Sequence, residues 1–418
     1  MSHAPALSRL LAGRLPIYYG WIVLGCLCCV GFARQGPAVA TLSIFVEPLT
    51  REFGWSRTAL SGAVSLAGVM AALVSPLIGP VLDRHGSRVV LCVAVLVNAC
   101  ALVLLSLTPN LLIFYVLFCI ARMNWAVPFD LGIYGAISNW FVARRAFATS
   151  LATMAQMAGL VAMPLAAQFA IVNQGWRSGW LAIGALTALV GFIPVWLLLV
   201  RRPEDIGLAP DAAHAAQAAT TGVADEPRFS RSQAIATPAF WLLMLYTVLV
   251  YPVQAGVSLH QAPHLVERGI DATTAALIVS SFSLMSGVGT FACGFMPRWL
   301  PIRFPMALVG IALTLGTLLM MRVASPAEGY LAAALFGLGI GGVLTLLPIA
   351  WADYFGRANY GAIRGLALSA QVLAQATGPL ASGVLRDLTG DYRLALNGFA
   401  LLSGLSVIAA LAARPPKR

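Results

Sequence analysis

The 418-residue chain holds a single lysine, Lys417, among its 26 basic residues, and charged residues make up only 10% of it. A soluble surface carries about 25% charged residues. This scarcity, with 60% hydrophobic residues and a mean hydropathy of +0.86, excludes a soluble domain. Paired acid and base groups, or a nucleophile with its base, are missing at any one depth of the chain, which argues against an enzyme. Gly337-x-Gly339-x-Gly341-Gly342 lacks the Lys-Ser/Thr that completes a phosphate loop. Close helix packing accounts for it better, and no nucleotide-driven pump is expected. The seven cysteines are odd in number and all lie in apolar runs, which argues against a disulfide framework. Cys26 and Cys29 form C-x-x-C and read as polarizable filler on a helix face. His260 and His264 stand four apart without a carboxylate or Cys partner at their depth. No metal or cofactor is expected.

The chain is rich in long apolar runs instead. About 20 apolar residues in a helix cross the roughly 30 Å hydrocarbon core. Twelve such runs stand near 18–47, 57–82, 88–107, 110–139, 147–172, 178–200, 238–264, 272–296, 304–322, 328–352, 362–385 and 393–413. Short polar connections favour helices over a barrel, whose strands would alternate. The first run is too long for a cleavable signal and eleven more follow. The expected fold is an all-α membrane protein of twelve transmembrane helices in two pseudo-symmetric six-helix bundles. The expected parts are an N-terminal tail at 1–17, a bundle at 18–200, a linker at 201–237, a second bundle at 238–413 and a tail at 414–418. An Ala-rich patch at 209–219 has the composition of a short surface helix.

The net charge of +11 does not mark a nucleic-acid binder, because the arginines are scattered through short loops. With the first helix running outward, seventeen basic residues fall in inner loops and tails and seven in outer loops. Arg84, Arg88, Arg144, Arg145, Arg357 and Arg364 are among the inner set. This positive-inside asymmetry places both termini in the cytoplasm. The lysine scarcity reads as GC-rich bacterial coding, and hence as a bacterial inner membrane.

Between the second and third runs lies Gly79-Pro80-Val81-Leu82-Asp83-Arg84-His85-Gly86-Ser87-Arg88. A charged turn of this kind needs a Gly to turn, an acid to cap the incoming helix and arginines at the water interface. A weak echo lies 215 residues on, at Gly294 to Arg303. Pro48/Pro263, Glu52/Glu267, Gly54/Gly269 and Gly175/Gly390 repeat at the same offset, at matching loop edges. That is the mark of a duplicated membrane bundle, and such bundles usually transport.

Gly79-x-x-x-Asp83-Arg84-x-Gly86-x-Arg88 resembles the loop signature of the major facilitator superfamily. Within it the chain is similar to the bacterial monocarboxylate and oxalate/formate porters. The segments are Tyr19-Gly20-Trp21, Glu52 to Arg57, Asn139-Trp140-Phe141 with Arg144-Arg145, Arg202-Pro203-Glu204-Asp205, and Asp353 to Gly365. The resemblance implies alternating access, with the first, fourth, seventh and tenth helices lining the cavity. It also implies that Asp83, with Gly79, Arg84, Gly86 and Arg88, stabilises the outward-open state. The chain departs from the porters in three places. Residues 272–296 hold no Arg or Lys, 362–385 hold no Lys, and Pro37-Ala38-Val39 lacks the lysine of the animal relatives.

A charge at mid-bilayer costs roughly 2.5–3.5 kcal/mol on insertion scales, so an embedded charge points to function. Three are expected deep: Arg34 near the centre of the first helix, Arg122 near the middle of the fourth, and Asp130. Two Arg and one Asp leave a net positive cavity, and a guanidinium fork matches a carboxylate. Arg34 and Arg122 are therefore candidate substrate ligands. For Arg122 a coupling role without substrate contact stays open. On one continuous helix Trp125, Ala126, Phe129 and Ile133 would share the Arg122 face. Trp125 and Phe129 could then pack around a substrate. Asp130 would lie out of direct reach of Arg122 and is the candidate proton-coupling group. Gln254, Ser258 and Gln261 form a polar stripe in the seventh helix beside Tyr251, and Gln371 and Gln375 repeat the spacing in the eleventh. These are candidate cavity groups, with interhelical hydrogen bonding as the alternative.

The reading that follows is a secondary transporter, not an enzyme, moving a small organic anion such as a monocarboxylate. Its partners would be that anion, a proton or counter-anion, and the lipid bilayer, with no nucleic acid, and the chain acting as a monomer. Efflux of an amphipathic or cationic compound is the alternative, and a transporter-like sensor without flux is a second.

Overall fold

The computed structural model describes residues 8, 12–14, 16–211 and 227–416. Most of the Ala-rich patch, 212–219, lies outside the described residues, as do Arg9, Asp225, Lys417 and Arg418. Helix dominates, and no strand occurs among the described residues. In chain order the α-helices are α1 (Gly20–Ala33), α2 (Val39–Phe53), α3 (Arg57–Leu105), α4 (Leu111–Ala126), α5 (Pro128–Trp140), α6 (Arg145–Gln174), α7 (Trp176–Leu186), α8 (Ile193–Leu198), α9 (Arg231–Ile235), α10 (Pro238–Glu267), α11 (Ala272–Cys293), α12 (Arg303–Arg322), α13 (Pro326–Phe355), α14 (Tyr360–Thr389) and α15 (Arg393–Ala412). Thr187–Phe192 is a π-helical stretch joining α7 to α8.

These elements regroup into the twelve expected runs once three breaks are recognised. Among the described residues, nine helices are long and apolar enough to cross a membrane. One of these, Gly62–Leu105, is a double span. Gly86 sits inside it with φ +80°, a left-handed backbone state that favours glycine, and there the chain turns between two apolar arms. The first run is not one helix. α1 ends at Ala33 and α2 starts at Val39, because Pro37 cannot donate to a helix and restricts the residue before it. The fourth run breaks at Val127 (φ −118°, ψ −70°), just before Pro128. Neither α1 nor α14 is among the nine. The first is short, and the uncharged middle of the second is diluted by Gln371, Gln375, Thr377, Gly378 and Pro379.

Helix starts follow the sequence. The side chains of Ser56, Asn110, Thr237, Asp271 and Ser325 each accept a backbone N–H from the first turn of the helix they precede.

The chain divides into two compact units. One holds residues 1–226 with 357–369, the other 227–356 with 370–418. The first is filled by a cluster including Phe45, Leu49, Phe114, Phe118, Met163, Trp176 and Trp180, in which Phe45 and Trp180 stack at 3.8 Å. In the second, α13 is the most enclosed helix, with 78% of its apolar window buried. Its glycines permit this. A Cβ on Gly337 or Gly341 would strike the α11 backbone at Phe282 or Ser286, and one on Gly342 would strike Val309 of α12.

Candidate functional site

The breaks in the first and fourth runs place the charged residues of the first unit. Arg34 is the C-cap of α1 rather than a mid-helix residue, and only 5% of it is exposed. Gln35, Gly36 and Pro37 complete the turn to α2. α4 brings Arg122 and Trp125 against that turn. The Arg122 guanidinium lies 3.7 Å from the centre of the Trp125 ring, and the Arg34 guanidinium lies 4.8 Å from it. Trp125 Nε1 donates to Gln35 Oε1 at 3.0 Å, and Arg122 Nη1 reaches Pro37 O at 3.5 Å. The Gln35 carbonyl accepts Thr41 Oγ1 at 3.0 Å, which ties the turn to α2. Discontinuous helices with side chains and free backbone at the break are how transporter sites are commonly built.

Two guanidinium groups therefore converge on one indole. Each ring contact contributes about 0.5–2 kcal/mol. No acidic side chain is in ion-pair range of the half-buried Arg122 among the described residues. The Arg122 guanidinium is therefore held by a ring and a carbonyl, with no carboxylate of its own among the described residues.

The break at Val127 corrects the expected face. Trp125 does accompany Arg122, but Phe129 and Ile133 belong to α5 and are fully buried in packing. Asp130 is apart from Arg122, in the first turn of α5. Its partner is Arg364, at 3.5 Å, with the Arg364 side chain 1% exposed. The charge count placed Arg364 in an inner loop, but the structure buries it in the second turn of α14. Gly361 and Gly365, on either side of it, let α14 lie close against α3 at Gly79 and Ser75. Arg145, also assigned to a loop, is 4% exposed and donates from Nε to Phe141 O at 3.1 Å. Cations at a helix C-terminus are stabilised by the helix dipole.

Around Asp83 the signature residues divide into four tasks. Asp83 accepts backbone N–H groups from Gly361 at 2.9 Å and Ala362 at 2.8 Å. Gly79 serves close approach rather than turning, since a Cβ there would strike Gly361 O. Gly86 makes the turn. Arg88 donates to Trp196 O at 2.9 Å, capping α8, while Arg84 is exposed.

In the second unit, the α10 stripe and the α14 glutamines are brought together at one point. Gln375 Nε2 donates to Gln254 Oε1 at 3.0 Å. Here the interhelical reading of that pair holds. Tyr251 and Gln371 are buried. Ser258 Oγ and both amide atoms of Gln261 are buried without a hydrogen-bond partner. His264 and His260 contact carbonyls, Met320 O at 2.9 Å and Gly256 O at 3.1 Å.

Residues 23–379 match the Major Facilitator Superfamily. Monocarboxylate transporter 11 of Homo sapiens is 28% identical over 403 residues, 92% of this chain and 81% of that protein. The membrane sensor protein UhpC of Escherichia coli (strain K12) is 26% identical over 262 residues, 59% of each chain. The solved structure of the proton:xylose symporter XylE shares the fold with a TM-score of 0.73 at 13% identity, covering 94% of this chain and 95% of that one. Broken apolar spans, the Asp83 turn and a match across most of the chain agree: the protein belongs to the Major Facilitator Superfamily, as a multi-pass membrane transporter similar to the monocarboxylate porters.

Proposed function

We propose that the protein is a secondary transporter of a small organic anion, a monocarboxylate, working by alternating access. The observation that carries this reading is Arg122, stacked on Trp125 beside Arg34, with no acid in ion-pair range of Arg122 among the described residues. A guanidinium keeps its charge and binds a carboxylate through two parallel hydrogen bonds. The arrangement therefore supplies what an anion needs and little that would hold a cation. The relatives named as monocarboxylate transporters support the same substrate class. In this reading Asp130, beside Arg364, carries a coupled proton, and the Asp83 turn faces the cytoplasm of a bacterial inner membrane with both termini.

The test is uptake into proteoliposomes of a panel of radiolabelled monocarboxylates. Saturable uptake, competed by unlabelled anion and insensitive to organic cations, is expected. Cation efflux without anion uptake would replace this reading with the export of amphipathic cations. Saturable anion binding without flux would favour a sensor, the role named for the Escherichia coli relative.

A further inference from the structure

The 215-residue offset pairs Leu49 with His264, Phe53 with Arg268, Trp176 with Asp391 and Ser178 with Arg393. The backbone of this corner is kept in both units: Gly54 and Gly269 share positive φ, as do Gly175 and Gly390. The filling is not kept. In the first unit Leu49 and Trp176 belong to the buried apolar cluster, and Phe53 packs against it and stacks on Trp55 at 4.5 Å. In the second unit the same corner is an open cavity of about 380 Å³, with His264, Glu267, Arg268, Arg386, Asp391 and Arg393 in its lining. A cavity of that size admits a small molecule. Two of its arginines are committed: Arg386 pairs with Glu267 at 3.0 Å and Arg393 with Asp391 at 3.8 Å. Arg268 is held differently. It is the C-cap of α10, and its Nε donates to the carbonyl of Val323, the C-cap of α12, at 2.9 Å. That bond fixes the guanidinium. Among the described residues it leaves both Nη groups without a protein partner and no acid in ion-pair range. Capping two helix ends uses only Nε, and it does not account for a corner emptied of its aromatic filling.

We propose that this corner of the second unit is an anion site of its own, in which the Nη pair of Arg268 binds the carboxylate of a small monovalent acid. Two parallel N–H···O bonds suit a planar carboxylate. Three arginines against Glu267 and Asp391 leave the lining one positive charge, which matches one negative charge on the ligand. The two wall carboxylates oppose a second negative charge. In the positive-inside topology the corner faces the outer solution, so a solute on that side reaches it directly. The site uses none of the residues around Arg122 and does not rest on the transport reading.

The experiment is arginine modification by phenylglyoxal on the detergent-purified full chain, with the peptide that carries Arg268 read by mass spectrometry. Propionate is the probe, 1-propanol its neutral match, and sodium chloride at equal ionic strength the control for screening. At ten times its apparent Kd, propionate should slow modification of Arg268 about tenfold, because only about one site in ten is then empty. The same protection is expected in Arg122→Gln and in Arg34→Gln. Sulfate should protect more weakly than propionate. Glu267→Gln removes one wall carboxylate from an exposed ion pair and should narrow that gap. Protection by chloride or 1-propanol equal to that by propionate would show that no carboxylate site exists. Protection lost in both arginine variants would assign the effect to the Arg122 site and overturn this one. A gap between sulfate and propionate unchanged in Glu267→Gln would overturn the selection for a single negative charge.

Discussion

Asp83 and Gly361, 278 residues apart in sequence, meet through a 2.9 Å hydrogen bond from the Gly361 amide to Asp83 Oδ1. The second carboxylate oxygen takes the Ala362 amide at 2.8 Å, so one side chain grips two consecutive N–H groups in the first turn of α14. Free N–H groups and the helix dipole make that turn a natural carboxylate receptor. Ser75 Oγ to Gly365 O at 2.7 Å and Ser369 Oγ to Ala72 O at 2.7 Å continue the contact along the helix.

Asp83→Asn turns one acceptor oxygen into a donor facing an N–H. A hydrogen bond to a charged group contributes about 1.5–3 kcal/mol. Transport by proteoliposomes carrying Asp83→Asn should fall roughly tenfold or more, a factor matching about 1.4 kcal/mol per decade. Expression should stay near wild type, while the melting temperature should fall modestly as the bond to the Gly361–Ala362 turn is lost. Flux at the wild-type rate would show that the grip is dispensable to the transport cycle.

Gly79 tests the same contact by steric means. Its missing Cβ is what lets α3 lie against Gly361, so Gly79→Ala forces the two helices apart. Overpacking of this kind costs typically about 1–3 kcal/mol. The variant should melt measurably lower and bind α14 less firmly, seen as faster hydrogen exchange at Gly361 and Ala362. Gly13→Ala, where a Cβ meets nothing, is the control that should leave both unchanged.

Much of this was legible in the sequence. Twelve apolar runs marked the twelve spans, and cap residues such as Asn110 and Asp271 marked where helices begin. The 215-residue echo has a backbone counterpart. Gly54 and Gly269 share positive φ, as do Gly175 and Gly390. Glu52 and Glu267 both pair with an arginine, Arg177 at 2.7 Å and Arg386 at 3.0 Å. The breaks were not legible from hydropathy, because Ala33 to Val39, in spite of Arg34 and Gln35, and Ala126 to Pro128 interrupt the helix without ending the apolar run around them. Missing them put Arg34 on a continuous helix and Phe129 on the Arg122 face. Arg364 was misassigned because charge counting sorts by distance along the chain, whereas its burial depends on Asp130, 234 residues away.

The paired guanidinium groups give a sharper test than either alone. Arg122→Gln should abolish saturable anion binding or weaken it at least tenfold, and Arg122→Lys should not restore it, since an ammonium offers neither the fork nor the flat stacking face. Trp125→Leu removes the shared ring and should weaken binding with both arginines intact. Isothermal titration with a monocarboxylate checks all three. Unchanged affinity in Arg122→Gln and in Arg34→Gln would move the anion site elsewhere.

The Asp130–Arg364 pair makes a prediction about stability and another about protons. Burying two charges is expensive, and removing one partner leaves the other stranded, typically at a cost of about 3–5 kcal/mol. Arg364→Gln should therefore be strongly destabilising. Asp130→Asn added to it removes the stranded carboxylate, so the double variant should be more stable than Arg364→Gln alone, a coupling that a double-mutant cycle of melting temperatures reads directly. If Asp130 carries the transported proton, its protonation must release Arg364, and the pair must open during the cycle. Asp130→Asn would then keep substrate exchange, which needs no net proton, and lose acid-stimulated net uptake. A pH-sensitive dye inside the vesicles should report substrate-driven proton entry in wild type and none in Asp130→Asn. Proton entry undiminished in that variant, with the stability coupling still present, would leave the pair a structural tie and place the proton elsewhere.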